Sequence, residues 1–346
     1  MSDLWEFFAL AKPGPAMMWT QYLAARAAST ALTCFDVDPN LHTATLIGSA
    51  LHRLDKRHAE RSRANIRRSF PAWPEARVDA TAKASMQHLM RFVIETLHTP
   101  RLIHERNWAQ RLETGRLGEA IGVLNSGRPV ILVTGHLGNF ELLGYALATL
   151  GYRVDALARP LDNPLVYDWL LGMRERKGMR VITKWDATDQ MVDVLETGGA
   201  LAFIADQNAG AKGLFVPFMG KLASAYKSIA LLAQRFEAAV VCGYAMRRGM
   251  RFMYEVGTTD VIYPEDWADQ YDPLYYITAR YTRALELAVR MQPDQYWWMH
   301  RRWKSRPKHE LSGKDMPRAL RRKLESLPWM TGELMDQLAE PIAPIK

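Results

Sequence analysis

Cysteine is nearly absent from the 346 residues: Cys34 and Cys242 are the only two. They stand too far apart for a C-x-x-C pair or a metal-binding spacing, which excludes a disulfide framework and suits a reducing compartment. A basic leader is missing as well. Asp3 and Glu6 occupy the place of a positive n-region, so no cleaved signal peptide is expected. The longest apolar run, residues 16–32, is broken by Gln21 and Arg26. A charge at a bilayer centre costs roughly 2.5–3.5 kcal/mol on insertion scales, so the run reads as an interfacial or packed helix. Trp5, Phe7, Phe8, Trp19 and Tyr22 would help it lie at an interface. There is no G-x-S-x-G elbow for a nucleophilic serine and no H-E-x-x-H for zinc. Internal repeats and low-complexity linkers are also lacking, which argues against a second independent domain.

The chain does carry positive charge. A formal net charge of +8, with 48% hydrophobic and 24% charged residues, describes a basic globular protein. An anionic partner follows from the charge: a membrane surface, a phosphorylated glycolipid or an acidic carrier protein. Nucleic acid is excluded as the partner, because no nucleic-acid motif accompanies the charge. Seven of the cations cluster in residues 51–70: Arg53, Lys56, Arg57, Arg61, Arg63, Arg67 and Arg68. Arg53, Arg57 and Arg61 recur at i, i+4 and so share one face of an expected helix, either a solvated face or a patch turned to lipid or carrier.

From about residue 116 strand-like and helix-like patterns alternate. Strands are expected at 130–134, 153–158, 180–183, 200–205, 240–246 and 252–258, and helices at 140–150, 164–177, 187–197, 224–236 and 273–291. Such alternation predicts an α/β fold, a mixed, mostly parallel sheet flanked by helices. Residues 1–115 read as an N-terminal helical, membrane-proximal region, 116–307 as the α/β core, and 308–346 as a basic tail with a short helix and a loose end.

The stretch Val130-Ile131-Leu132-Val133-Thr134-Gly135-His136-Leu137-Gly138-Asn139-Phe140-Glu141 organises the core. Its apolar run is a buried strand, Gly135 and Gly138 bracket His136 in a loop, and Asn139 is an N-cap for the next helix. His136 therefore lies beyond the carboxyl end of a strand, the edge where open α/β sheets bind ligands. A general base with a neighbouring carboxylate, Glu141, is one reading. A loop histidine and a glutamate that complements the helix dipole is the plainer one.

Gly135-His136-Leu137-Gly138-Asn139-Phe140-Glu141 resembles the His-x4-Asp/Glu motif of the glycerolipid acyltransferase superfamily, and within it the lipid A late acyltransferase family. The resemblance extends over about residues 51–307. It implies that His136 and Glu141 form a catalytic dyad, with Glu141 holding the imidazole in its productive tautomer. It also implies a glycerolipid acyltransferase-like fold, no cofactor beyond an acyl thioester, and a thioester donor carried by an acyl carrier protein. The acceptor would be a lipid A precursor-like phosphoglycolipid, at the cytoplasmic face of the bacterial inner membrane.

Three further blocks supply candidate substrate contacts, and Asn139 joins them from the first. In Arg159-Pro160-Leu161-Asp162-Asn163-Pro164, Arg159 would clamp phosphate or an oxyanion, or else pair with Asp162; Asp162 and Asn163 are candidates beside it. Asp206-Gln207-Asn208-Ala209-Gly210 ends a strand, and Asp206 and Gln207 are candidate polar groups. Phe215 and Phe218, just after it, would wall an acyl chain or pack the core. In Gln295-Tyr296-Trp297-Trp298-Met299-His300-Arg301-Arg302-Trp303-Lys304, His300 and Arg301 are candidates in an interfacial or cation–π-packed corner. Acylation of another glycolipid such as a phosphatidylinositol mannoside, acylation of a lysophospholipid, and a silent lipid-binding role are the alternatives.

Overall fold

Val130, Ile131 and Val133 are buried in a strand with neighbours on both edges, which is why its sequence is a continuous apolar run instead of an alternating one. The computed structural model describes residues 14–158, 160–175, 178–183, 187–340 and 342. The described chain opens with helices α1 (Pro15–Thr33), α2 (Val37–Leu54), α3 (Lys56–Ser69) and α4 (Glu75–Leu102). There follow β1 (Leu112–Thr114), α5 (Gly118–Leu124), β2 (Val130–Thr134), α6 (Phe140–Thr149), β3 (Val154–Leu157), α7 (Pro164–Glu175) and β4 (Arg180–Ile182). Next come α8 (Ala187–Glu196), β5 (Ala200–Ile204), the hairpin β6 (Leu214–Phe218) and β7 (Lys221–Ala225), α9 (Lys227–Phe236), β8 (Ala239–Arg247) and β9 (Tyr254–Ile262). Helices α10 (Pro273–Met291), α11 (Arg318–Glu325) and α12 (Gly332–Ala339) complete the set used below.

The described strands form a seven-stranded sheet in the order β1-β9-β8-β2-β5-β3-β4, with β6 and β7 as a separate pair. Every pairing in the sheet is parallel except β8 with β9. The fold is thus α/β with a mixed, mostly parallel sheet. From β2 the chain moves outward to β3 and β4, returns through β5 to the edge of β2, and only later reaches β8 on the opposite edge. The carboxyl ends of β2 and β5 therefore lie side by side.

Four local expectations need correction. Residues 51–70 are two helices, because Asp55 leaves helical geometry and caps α3: its carboxylate accepts the backbone N–H of His58 at 3.1 Å and holds its Nδ1 at 2.6 Å. Arg53 and Arg57 are exposed, but Arg61 is buried and donates to the Met299 carbonyl at 3.2 Å. The helix expected from residue 224 begins only at Lys227, because residues 221–225 form β7, paired in register with β6. Finally, residues beyond 307 are packed: Leu324, Leu327 and Leu338 are buried in the main core, and Lys221 Nζ binds the Gln337 carbonyl at 2.9 Å. Their leucine spacing was hidden beneath the basic composition. The expected ends of the helix at 164–177 and of the tail lie outside the described residues, as do Trp5, Phe7 and Phe8.

The helical region is not set apart from the sheet. β1 lies within residues 1–115 and pairs with β9. α1 buries none of its residues and leaves Met17, Trp19 and Leu23 exposed. Among the described residues no helix is long and apolar enough to cross a membrane.

Candidate active site

β2 and β5 pair in register as far as Thr134 and Ile204. The ladder runs one step further, where the Ala205 N–H donates to the Thr134 carbonyl at 2.8 Å. The chain just beyond the two strand ends is thereby brought together, and with it His136 and Asp206. Asp206 Oδ1 lies 2.7 Å from His136 Nδ1, and Oδ2 accepts the His136 backbone N–H at 2.9 Å. Gly135 allows the approach, since a Cβ there would meet the Asp206 carboxyl carbon at 3.2 Å.

Both side chains are buried, at 3% and 1% exposure. Burial alone would raise the Asp206 pKa. The charge and hydrogen bonds of His136, with the charge of His300, outweigh it and hold the carboxyl well below its usual range. An ionised carboxylate only accepts, so Nδ1 carries a proton, and the neutral form of the ring has its lone pair on Nε2. The ring is confined by Phe140, Trp297 and His300, with centroids at 5.2, 5.0 and 4.6 Å. The Trp297 backbone N–H also donates to the His136 carbonyl at 3.1 Å.

Glu141 does not touch His136. Its carboxylate faces the Arg174 guanidinium of α7, with Oε2 2.8 Å from Nε and Oε1 2.5 Å from Nη2. The Glu141 charge keeps Arg174 firmly protonated. The expectation that Glu141 fixes the imidazole is therefore corrected: that contact is made by Asp206. The cause is the helix, whose first turn carries Glu141 over toward α7.

His136, Glu141 and Arg174 line one cavity of about 560 Å³. Its walls are otherwise largely apolar, including Phe92, Leu132, Leu143, Leu157, Leu170 and Met173 from α4, β2, α6, β3 and α7. The volume falls in the range of small-molecule pockets, about 300–1,000 Å³.

The other candidates distribute as follows. Asn139 is fully buried, with Oδ1 accepting the Leu142 N–H at 2.9 Å and Nδ2 donating to Glu95 at 3.1 Å. It caps α6 and is committed to the protein on both sides of its amide. Arg159 lies outside the described residues. Asp162 is exposed, while Asn163 ties α7 to α1 through the Met18 carbonyl and Gln21 Oε1, both at 3.0 Å. Gln207 follows Asp206, and its backbone carbonyl accepts from Arg302 at 3.2 Å. Phe215 and Phe218 pack in the core and are not among the lining of this cavity. His300 is buried beside His136, whereas Arg301 is half-buried and not among the cavity's lining. Arg174 cannot be singled out in the sequence, because nothing in a helix of mixed polarity marks one arginine as the partner of a residue 33 positions away.

Comparison with known proteins bears on this geometry. Residues 15–305 match the model of a family described as bacterial lipid A biosynthesis acyltransferase. The chain is 27% identical over 151 residues to the lipid A biosynthesis lauroyltransferase of Escherichia coli, covering 43% of this chain and 48% of that protein. It is 25% identical over 262 residues to the lipid A biosynthesis acyltransferase of Haemophilus influenzae, covering 74% and 80%. With the lipid A biosynthesis palmitoleoyltransferase of Escherichia coli it shares 27% identity over 189 residues, covering 54% and 59%. The matches thus span from about half to four-fifths of these relatives' lengths.

Proposed function

Because the chain belongs to the bacterial lipid A biosynthesis acyltransferase family, we propose that it moves a fatty acyl chain from a thioester to a hydroxyl of a lipid A precursor-like phosphoglycolipid. The observation that carries this reading is His136, anchored through Nδ1 on Asp206 and lining a largely apolar cavity. Nε2 takes the proton of the acceptor hydroxyl as its oxygen attacks the thioester carbonyl. The tetrahedral intermediate then collapses, the C–S bond breaks, and the imidazolium returns the proton to the departing thiolate. Asp206 stabilises the imidazolium between the two transfers, as the carboxylate does in hydrolytic triads. The acyl chain lies in the cavity, where Glu141 and Arg174 neutralise one another at its polar part.

The donor is an acyl carrier protein, a reading supported by the net charge of +8 and by exposed Arg53, Lys56 and Arg57 at the α2–α3 junction. Attachment is peripheral or weakly anchored, at the cytoplasmic face of the bacterial inner membrane. Met17, Trp19 and Leu23 of α1 would reach the bilayer's interfacial zone. No cofactor enters this chemistry beyond the thioester itself.

Purified protein supplied with lauroyl-acyl carrier protein and a phosphorylated lipid A precursor tests the proposal, with mass spectrometry of the lipid product. Gain of one acyl chain, absent in H136A, is expected. Acylation of a lysophospholipid or a mannoside in its place would overturn the acceptor, and lipid binding without any turnover would overturn the enzyme.

A further inference from the structure

Beneath the turn that carries His136 lies a buried polar cluster that the chemistry above does not use. Glu95 and His88 stand on α4, and Arg247 ends β8; all three are buried. Arg247 Nη1 is 2.5 Å from Glu95 Oε1 and 3.3 Å from His88 Nδ1. Burial, reinforced by the Arg247 charge, pushes the His88 pKa well below its ordinary value, so the ring is neutral. Its Nδ1 then accepts from the guanidinium and its Nε2–H donates to the Gly138 carbonyl at 3.1 Å. The second oxygen of Glu95 accepts from Asn139 Nδ2 at 3.1 Å.

Gln295 closes the assembly from the other side. Its amide exchanges two hydrogen bonds with the Arg247 backbone, each 2.9 Å, and its backbone carbonyl accepts the Gly138 N–H at 3.0 Å. Gly138 is itself pressed against β8: its φ is +55°, and a Cβ would lie 2.1 Å from the Ala245 carbonyl oxygen. The Asn139 N–H donates to that same carbonyl at 2.7 Å. A buried ion pair is a weak source of net stability compared with apolar packing of the same volume. This one terminates on the two residues that follow the His136–Leu137 turn.

We propose that Glu95, Arg247 and His88 are positioning residues for His136. By gripping Gly138 and Asn139 they fix the turn so that the imidazole rests on Asp206 with Nε2 available. The idea rests on the proposed role of His136 as base. Between the grip and the ring stand only Leu137 and the tight turn closed by its N–H on the Gly135 carbonyl, at 2.7 Å. A displacement of Gly138 is therefore passed to the imidazole.

The test compares H88L, which removes the side-chain hydrogen bonds of His88, with H88Q, whose amide can both donate and accept. For H88L, kcat should fall roughly 10- to 100-fold with KM within about twofold, since misplacement by about 1 Å can cost about 10² in rate. H88Q should recover most of the loss. A second readout needs no turnover: the downfield Nδ1 proton of His136, seen by NMR in ¹⁵N-histidine-labelled protein and assigned by its absence in H136Q. It should shift or broaden in H88L and return in H88Q. An unchanged signal with unchanged kcat in folded H88L overturns the proposal, as does equal loss in both variants with the signal in place. If H88L does not fold, E95Q takes its place, with kcat and the His136 proton interpreted in the same way. If wild type shows no acyl transfer, the functional reading fails while the NMR comparison still decides this one.

Discussion

Asp206 holds His136 at two points, the ring Nδ1 and the backbone N–H, and so fixes both the tautomer and the location of the imidazole. D206N should keep the cavity and acyl-chain binding while lowering kcat roughly 10²–10⁴-fold, the range of a lost or misoriented general base. H136A should fall in the same range. Because the two residues act as a unit, the double variant should be no slower than the worse single one. Steady-state kinetics on the three proteins check this, and additive losses would separate the pair.

Glu141 and Arg174 are expected to behave as a second, distinct unit. E141Q should slow turnover less than D206N, since Glu141 pairs with the guanidinium and not with His136. A double-mutant cycle over E141A and R174A should return a coupling of about 0.5–3 kcal/mol in kcat/KM. Full additivity of the two substitutions would show that the pair has no joint role.

On the proposed reading, in which the acyl chain lies in the cavity, the cavity sets a limit on chain length. A Cβ at Gly243, which lines it, would meet Leu143 and the Gly257 carbonyl at 3.6 Å, an ordinary contact, so a larger side chain can enter without moving the backbone first. G243L should shift preference toward shorter acyl thioesters. Each methylene denied burial costs about 0.8 kcal/mol, roughly fourfold in kcat/KM. Competition between thioesters of different length measures it, and an unchanged ranking would place the chain elsewhere.

His88 also predicts a pH dependence of stability. Its folded pKa lies below the ordinary value of about 6.5, so below that pH the unfolded chain binds a proton that the folded one refuses. Stability is complete above about pH 6.5 and is lost as pH falls below it, by at most about 1.4 kcal/mol per pH unit for this residue. His52 and His98, also lowered chiefly by burial, add slopes of the same sign. Urea unfolding of wild type and H88Q at pH 7.5, 6.5 and 5.5 isolates His88; parallel curves would contradict the assignment.

Charge at the α2–α3 junction can be divided by burial. R53A/R57A should slow encounter with an acidic carrier and flatten its salt dependence, with the fold intact. R61A should act differently, lowering stability by about 1–3 kcal/mol because its partner Met299 carbonyl is buried. Stopped-flow association and thermal melts distinguish the two.

Much of this architecture is legible in the sequence where a single element decides it. β2 is apolar from Val130 to Val133 because it is central, and Asn139 caps α6 as its residue type suggests. What is not legible depends on which strands become neighbours. Asp206 is recognisable as a polar group at a strand end, but its union with His136 needs β5 beside β2, and no periodicity encodes strand order. The same blindness hides Glu95 and Arg247, 152 positions apart. It also explains why Glu141, near His136 in sequence, is the natural first choice of partner, although its helix turns it toward Arg174.

The adjacency of β2 and β5 has an evolutionary consequence. The chain between them, α6 through α8 with β3 and β4, is an excursion that leaves the central pair and returns to it. Substitutions, and even changes of length, in that excursion can remodel the cavity walls supplied by β3 and α7 without altering the register that sets Asp206 against His136. The shape of the cavity can therefore drift among descendants of one ancestor while His136 and Asp206 stay in step, provided that the excursion still closes on the same two strands.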